Sequence, residues 1–583
     1  MGDCYCRKTP LKAIIQNETV LTKIEQCVLD TNNVVRETYQ FVRLYFLTLL
    51  EQENVPPLID RTFLKGVFST ISNRKKSSRI QNLLDQLQVF YTEHYEPIQT
   101  IKAPAVQKDI LDYEITGIIT NVENHIKNSF FTYVNSLVYA LCPTDKTARK
   151  NLRDDMYKGT FSSPPEYFHL VEEFSPMITE ALKVLKTNPQ KSLPLLYKIS
   201  KLLARNGFKH KSILPLRRSL IPSYITIDKN ICSLIFKDIE DCWVEIEESV
   251  LREVGCKEGY NLTSIKTDGV ACSLTFRTEK RGKRKKTKAE EKYLEDLNVL
   301  KNITGKKVVG IDPNKGNLVY CFDGENVLRY TQDERRNVSK KAKYKNIRKE
   351  QEENVLVRGL TDSDFHSVEK DLEQLSSYDS RSCSSDEFKE YLKVKNQMAS
   401  RFGDVIYQEK IFRKLKWNTK INLKRSEDKF VSRFRETYGS DVVIAFGDWE
   451  ERPGFLRGKE PTKGKSMRSL LRKAGYDVYL IDEFRTSKMC HVCHSPNECN
   501  FVTRNDSRPW KRGEKQRVWG LLRCTNGSCR RVHNRDFNSA SNILFIAKKV
   551  IGRDGRPKVF SRTFQACAFP VGGGIDKPSQ IPC

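Results

Sequence analysis

Acidic residues are too few to balance the basic ones. The chain carries 73 Asp and Glu against 101 Lys and Arg, a net charge of +28 over 583 residues. That surplus far exceeds what solubility needs and favours a polyanionic partner, nucleic acid or an anionic membrane. Long apolar runs are missing as well: none approaches the ~18 residues of a spanning helix, and the opening MGDCYCRKTP lacks the apolar core of a secretory signal. A myristoyl anchor is not expected, because Cys6 stands where the pattern has Ser or Thr. No membrane partner is therefore expected. A disulfide framework is also unlooked for, since 17 cysteines, an odd number without a secretory signal, suit a reducing compartment where some bind metal and the rest stay free.

At this length one hydrophobic core does not suffice, and two to four domains are expected. Apolar residues recur at helical spacing from Leu21 to Leu50 and from Leu111 to Leu141, with shorter patterns near 80–90 and 177–203, which predicts a mainly helical region over 1–215. Its first few residues are expected to join the next domain. Period-two alternation at Val270, Cys272, Leu274 and Phe276 predicts a small β-rich domain over 216–300. It ends in a basic run, with Lys280, Arg281, Lys283, Arg284, Lys285 and Lys286 as candidate phosphate contacts or a nuclear-import signal, against the plain reading of a solvated linker.

Three short strands follow, at 308–312, 318–323 and 327–331. A charged helical insertion over 332–440 carries a Ser/Asp-rich stretch read as flexible. Strand character returns at 441–446 and 477–482 around a basic helix; then come a cysteine loop over 486–533 and a helix opened by Asp536, within a last part running 534–570. Residues 571–583 read as a disordered tail. This element order is that of the ribonuclease H fold, whose first strand lies centrally beside the fourth, with the fifth on the fourth's other side. Asp312, at the end of the first strand, and Asp536, at the start of the last helix, would then converge, with an acid from the fourth or fifth strand completing the set. Such acids suit Mg²⁺, and two ions roughly 4 Å apart can hold both the attacking and the leaving oxygens of a phosphodiester. For Asp536 the plain alternative is a helix N-cap; Asn538 could orient a ligand or lie on the surface.

Cys490-x-x-Cys493 and Cys524-x4-Cys529 supply four thiolates, the set a structural Zn²⁺ prefers, with no position left open for catalysis. Cys499, His491, His494 and His533 are possible substitutes. Between the pairs, Arg504, Lys511 and Arg512 accompany Trp510, a mixture of charge and rings that suits unwound nucleic acid, against the plain reading of a solvated basic loop.

The segments VVGIDPNKG, DEFRTSKMCHVC and NRDFNSASNIL, with Cys524 and Cys529, resemble the split RuvC nuclease and zinc ribbon of TnpB proteins. IKTDGVACSLTF, LRYTQDERR and AFGDWE resemble Fanzor, the eukaryotic TnpB relatives. The resemblance spans about 265–545. It implies a multidomain α+β protein: a helical recognition domain (1–215), a β-rich wedge domain (216–300) and an RNase H-like RuvC nuclease (301–485 and 534–570) with an inserted zinc ribbon that binds target nucleic acid. It implies an RNA-guided DNA endonuclease in the nucleus, associated with a transposable element, monomeric in a ribonucleoprotein with an omega-type guide RNA and double-stranded target DNA. Asp312 matches the first RuvC acid and Asp536 the third. Gly447 stands where TnpB proteins have the second, a Glu; a displaced Glu483 is expected to replace it, with Asp448 and Glu450 as alternatives. Asn314 stands where Gly is common, which is explained if its backbone is left-handed. Rival readings are a nuclease-inactive nucleic-acid-binding repressor or transposon accessory protein, and an unguided RuvC-like nuclease.

Overall fold

The computed structural model describes residues 4–562, apart from 73–80, 100–103, 105, 107, 279–291, 297–302, 304, 359–364, 449–461, 500, 506–509, 511, 512 and 519. It divides into two compact units, Met1–Lys285 with Lys341–Lys420, and Lys286–Lys340 with Ile421–Cys583. No described helix is long and apolar enough to cross a membrane.

The first unit is built on two long helices, Glu18–Glu51 and Lys108–Leu141. Asn17 starts the first by accepting the N–H groups of Thr19 and Val20. The second buries Ile115, Ile118, Val122, Ile126, Phe130 and Val134, one stripe at three- and four-residue spacing. Beside the helices lies an antiparallel sheet of β1 (Cys4–Pro10), β2 (Ile225–Ile227), β3 (Tyr260–Thr267) and β4 (Ala271–Thr278), in the order β1-β4-β3-β2. The chain's first strand thus pairs with residues some 270 positions on, Cys4 with Arg277 and Pro10 with Ala271.

Of the charged helical insertion expected over 332–440, residues 341–420 belong to this first unit and the two ends to the second. The Ser/Asp-rich stretch is also more ordered than its composition implies. β8 (Leu356–Arg358) pairs with β9 (Phe365–Ser367), and Val368–Ser376 is helical. The loop that follows is held by Arg43, which is fully buried and donates to the carbonyls of Ser380 at 2.8 Å and Ser382 at 3.1 Å. A buried guanidinium requires acceptors, and this loop's backbone supplies them.

The second unit holds a five-stranded sheet: β5 (Lys307–Asp312), β6 (Asn317–Phe322), β7 (Val327–Thr331), β10 (Val442–Gly447) and β11 (Asp477–Ile481). Its order is β11-β10-β5-β6-β7, so the first strand is central, beside the fourth, with the fifth outside the fourth. β10 is parallel to β5 and β11, while β5, β6 and β7 form an antiparallel meander. Period two sorts the central strands. Val309, Ile311, Ile444 and Phe446 pack with Phe430, Phe434, Met467 and Leu471 on one face. Val308, Val443 and Ala445 pack with Ile543, Leu544, Ile546 and Ala547 of the helix Arg535–Ile551 on the other. That helix lies directly on the β5 backbone: a Cβ at Gly310 would stand 2.6 Å from the Ala540 carbonyl oxygen and 2.8 Å from the Leu544 nitrogen.

Candidate active site and cysteine cluster

Gly310 and Asp312 share a face of β5 because side chains alternate, so the helix contact that needs glycine at 310 also turns Asp312 toward the start of that helix. Asn534 caps the helix by accepting the N–H groups of Asp536 and Phe537, at 2.9 and 3.1 Å. The Asp536 carboxylate is therefore not spent on capping. It accepts instead from Asn314 Nδ2 at 2.8 Å and Asn317 Nδ2 at 2.5 Å. Asn314 is not among the described residues of positive φ; its identity is explained by this bond to Asp536 rather than by a left-handed backbone. Asp312 is 7% exposed. Burial, then the like charges of Glu483 and Asp536, push its carboxyl well above the usual carboxylate range, with Arg535 opposing.

Ile311 pairs with Phe446, which brings Asp312 and Gly447 side by side where both strands end. Gly447 in turn pairs with Ile481, two residues before Glu483. A Cβ at 447 would lie 2.5 Å from Cδ and 2.8 Å from Cγ of Glu483. The Glu483 side chain thus occupies the space that any larger residue at 447 would claim. Asp448 is employed differently: its Oδ1 accepts the Glu483 N–H at 3.1 Å and its Oδ2 the Tyr293 hydroxyl at 3.2 Å. Asp482, the other half of the acidic pair, is held by Arg562 through two bonds of 2.7 and 2.8 Å. Glu450 lies outside the described residues.

Beyond Glu483 the chain enters the cysteine loop, and the helix Arg535–Ile551 ties that loop down. Asn538 and Asn542, one turn apart and fully buried, each donate to the carbonyls of Thr486 and Met489 at 2.8–3.0 Å. Asn538 also accepts the His491 N–H at 2.9 Å. It is neither a surface residue nor a group facing the acids. Leaving this clamp, Cys490, Cys493, Cys524 and Cys529 bring four sulfurs within 4.8 Å of one another. Cys490 and Cys529 stand 3.9 Å apart and Cys493 and Cys524 3.4 Å, close to the ~3.8 Å expected between ligands of a tetrahedral Zn–S site. The donor set fits Zn²⁺.

Residues 466–543 match the Cas12f1-like TNB domain.

The TNB match takes in Glu483, all four clustered cysteines and Asp536. No curated protein matches the chain. Among solved structures, a crystal structure of an AacC2c1–sgRNA–extended non-target DNA ternary complex is 9% identical, covering 95% of this chain and 91% of that one at a TM-score of 0.31. A cryo-EM structure of a Cas12f1–sgRNA–target DNA complex is 11% identical, covering 93% and 99% at a TM-score of 0.23. Likeness of that degree fixes neither fold nor function.

Within the TNB segment Cys499 and His494 stay outside the four-sulfur group; His494 packs on Phe545 with ring centroids 4.6 Å apart. His491 and His533 group with Cys490 in a second, three-residue set. Arg504 is exposed on a short strand and Trp510 is 77% exposed. Lys511 and Arg512, like Lys280, Arg281, Lys283, Arg284, Lys285 and Lys286, lie outside the described residues, as does the 571–583 tail. Among the described residues, only cysteine and histidine groups gather three ligand atoms within 4.8 Å, so the three acids are set more widely than the thiols. Three side chains around the site escaped the sequence: Asn317, Asn542 and Tyr293, while Asn314 stood out there only as a departure from Gly. Of the three, only Asn542 left a signal, as the second amide of an i, i+4 pair on the last long helix.

A zinc-holding cluster has a direct test. Cys490→Ser combined with Cys524→Ser should release one equivalent of zinc and lower the melting temperature, because structural zinc contributes folding energy. Elemental analysis finding no zinc in active wild-type protein would rule the site out.

Proposed function

We propose that this protein is an RNA-guided DNA endonuclease of the TnpB and Cas12 kind, on the Fanzor branch, whose RNase H-like RuvC domain cuts guide-matched DNA beside a short flanking motif. The observation that carries the reading is the meeting of Asp312, Glu483 and Asp536 at the ends of β5, β11 and the start of the last long helix, with Gly447 leaving room for the displaced acid. A helix laid on a central strand and two parallel strand ends is a site where open sheets gather ligands. Oxygen donors in a basic protein suit a divalent cation and a phosphate backbone together. The TNB match and the four-thiol cluster support a target-nucleic-acid-binding zinc ribbon beside the site.

Asp312, Glu483 and Asp536 are the residues that would hold two Mg²⁺ ions, which would supply Lewis acidity for phosphodiester hydrolysis. Asn314 and Asn317 hold the Asp536 carboxylate in its rotamer through one bond to each oxygen. Burial and the neighbouring acids raise the Asp312 carboxyl above the usual carboxylate range, so a cation held there would offset the crowding of like charge. Asn538 and Asn542 fix the backbone on which Glu483 and the zinc ribbon are mounted. The first unit, as recognition and wedge domains, holds an omega-type guide RNA in a monomeric ribonucleoprotein that acts in the nucleus and serves a transposable element. Base pairing reads a long sequence while the protein reads backbone shape and a short motif, which a modest set of Lys and Arg contacts can do.

The test is reprogramming. RNA that co-purifies with the protein is sequenced and its guide segment changed; cutting should move to plasmids matching the new guide. Cleavage that ignores the guide, or continues unchanged once the RNA is removed, would establish an unguided nuclease.

A further inference from the structure

Glu483 follows the end of β11, where the chain leaves the sheet, so its side chain is placed by whatever holds that corner of backbone. Two brackets hold it. On one side Asp448, 5% exposed, accepts the Glu483 N–H and the Tyr293 hydroxyl with separate oxygens, while its own N–H donates to the Ile481 carbonyl at 2.9 Å. Tyr293 belongs to a segment paired along the outer edge of β11: the Leu294 N–H donates to Leu480, and the Leu480 N–H to Lys292, both at 2.9 Å. On the other side Arg562 grips the Asp482 carboxylate, and Arg556 donates to the Asp482 carbonyl at 2.6 Å and to Glu295 at 2.6 Å. Both oxygens of Asp448 are thus turned to the corner's own backbone and hydroxyl.

We propose that Asp448 and Tyr293 are positioning residues for cation binding at the three-carboxylate site, holding the Glu483 backbone so that its side chain stays in the space left by Gly447. The proposal rests on the nuclease reading above. A positioning role is chemically distinct from ligation here. The oxygen of an Asn side chain can still accept the Glu483 N–H while its amide nitrogen donates to the Tyr293 hydroxyl, whereas an amide is a poor substitute for a carboxylate on a hard cation. Partners that orient a metal ligand are worth ~10–100-fold in affinity or activity.

The experiment is calorimetric titration of Mn²⁺ into the full-length protein carrying its RNA, with guided cleavage and melting temperature measured on the same samples. Asp448→Asn should keep Mn²⁺ affinity and cleavage within ~3-fold of wild type, and Asp448→Ala should lose ~10–100-fold in both. Tyr293→Phe keeps the ring and removes the hydroxyl; a loss of ~3–10-fold is expected, and it carries the test should Asp448→Ala fail to fold. Asp448→Asn as defective in Mn²⁺ binding as Glu483→Gln would make Asp448 itself a ligand and overturn the proposal. So would an Asp448→Ala protein, or in its place a Tyr293→Phe protein, that melts lower but binds Mn²⁺ like wild type. Failure of the underlying reading looks different: Glu483→Gln and Asp312→Ala would then leave Mn²⁺ binding and cleavage intact.

Discussion

Asp312→Ala or Asp536→Ala should each reduce guided DNA cleavage by ~10³-fold or more, since a bound cation contributes several kcal/mol to charge stabilisation and each 1.36 kcal/mol is tenfold in rate. RNA and DNA binding should change little, because neither substitution touches the basic surface. Asp312 offers a second readout. It is buried against two like charges, so the metal-free protein carries an unfavourable cluster that Asp312→Ala relieves. Adding Mg²⁺ should therefore raise the melting temperature of the wild type and do so much less for the variant, following the linkage between binding and stability. Guided cutting at the wild-type rate by either variant would end the assignment of these acids to the catalytic centre.

Gly447→Ala should be nearly as damaging, although it adds a single methyl. That carbon would stand 2.5 Å from Cδ of Glu483, so the carboxylate must move, and a displacement of ~1 Å at a reacting centre costs on the order of 10²-fold. Gly447→Glu alone should fail in the same way, by forcing two acids into one space. Combined with Glu483→Ala it should recover part of the activity, because the neighbouring strand end delivers a carboxylate to the same place. The readout is guided cleavage across the three variants. Wild-type activity in Gly447→Ala would show that Glu483 does not depend on the vacant position.

The acids at strand and helix ends were legible in the sequence because they punctuate strong local patterns. Val308 to Asp312 and Val442 to Gly447 are apolar runs too short for helices, and Asp536 opens an apolar stripe at helical spacing. Gly447 could be noticed as a missing acid, yet that Glu483 fills its space is a contact between chain segments that spacing alone does not encode. Asn314 was misread for the same reason: turn residues invite a backbone explanation, and its partner Asp536 lies 222 positions away. The Ser/Asp-rich stretch misled differently. Its low hydrophobicity points to disorder, yet its later part supplies the Ser380 and Ser382 carbonyls that the buried guanidinium of Arg43 needs.

The amide clamp and the glycine contact have a bearing on how this chain can change. Asn538 and Asn542 hold Thr486 and Met489, and Gly310 seats the same helix on β5, so entry to and exit from the cysteine excursion are anchored to one rigid base. A loop with pinned ends pays little for extra length, ~0.6 kcal/mol for each doubling. The excursion is therefore a cassette: the part that carries Arg504 and the exposed Trp510 should tolerate lengthening, shortening or exchange without shifting Asp312, Glu483 or Asp536.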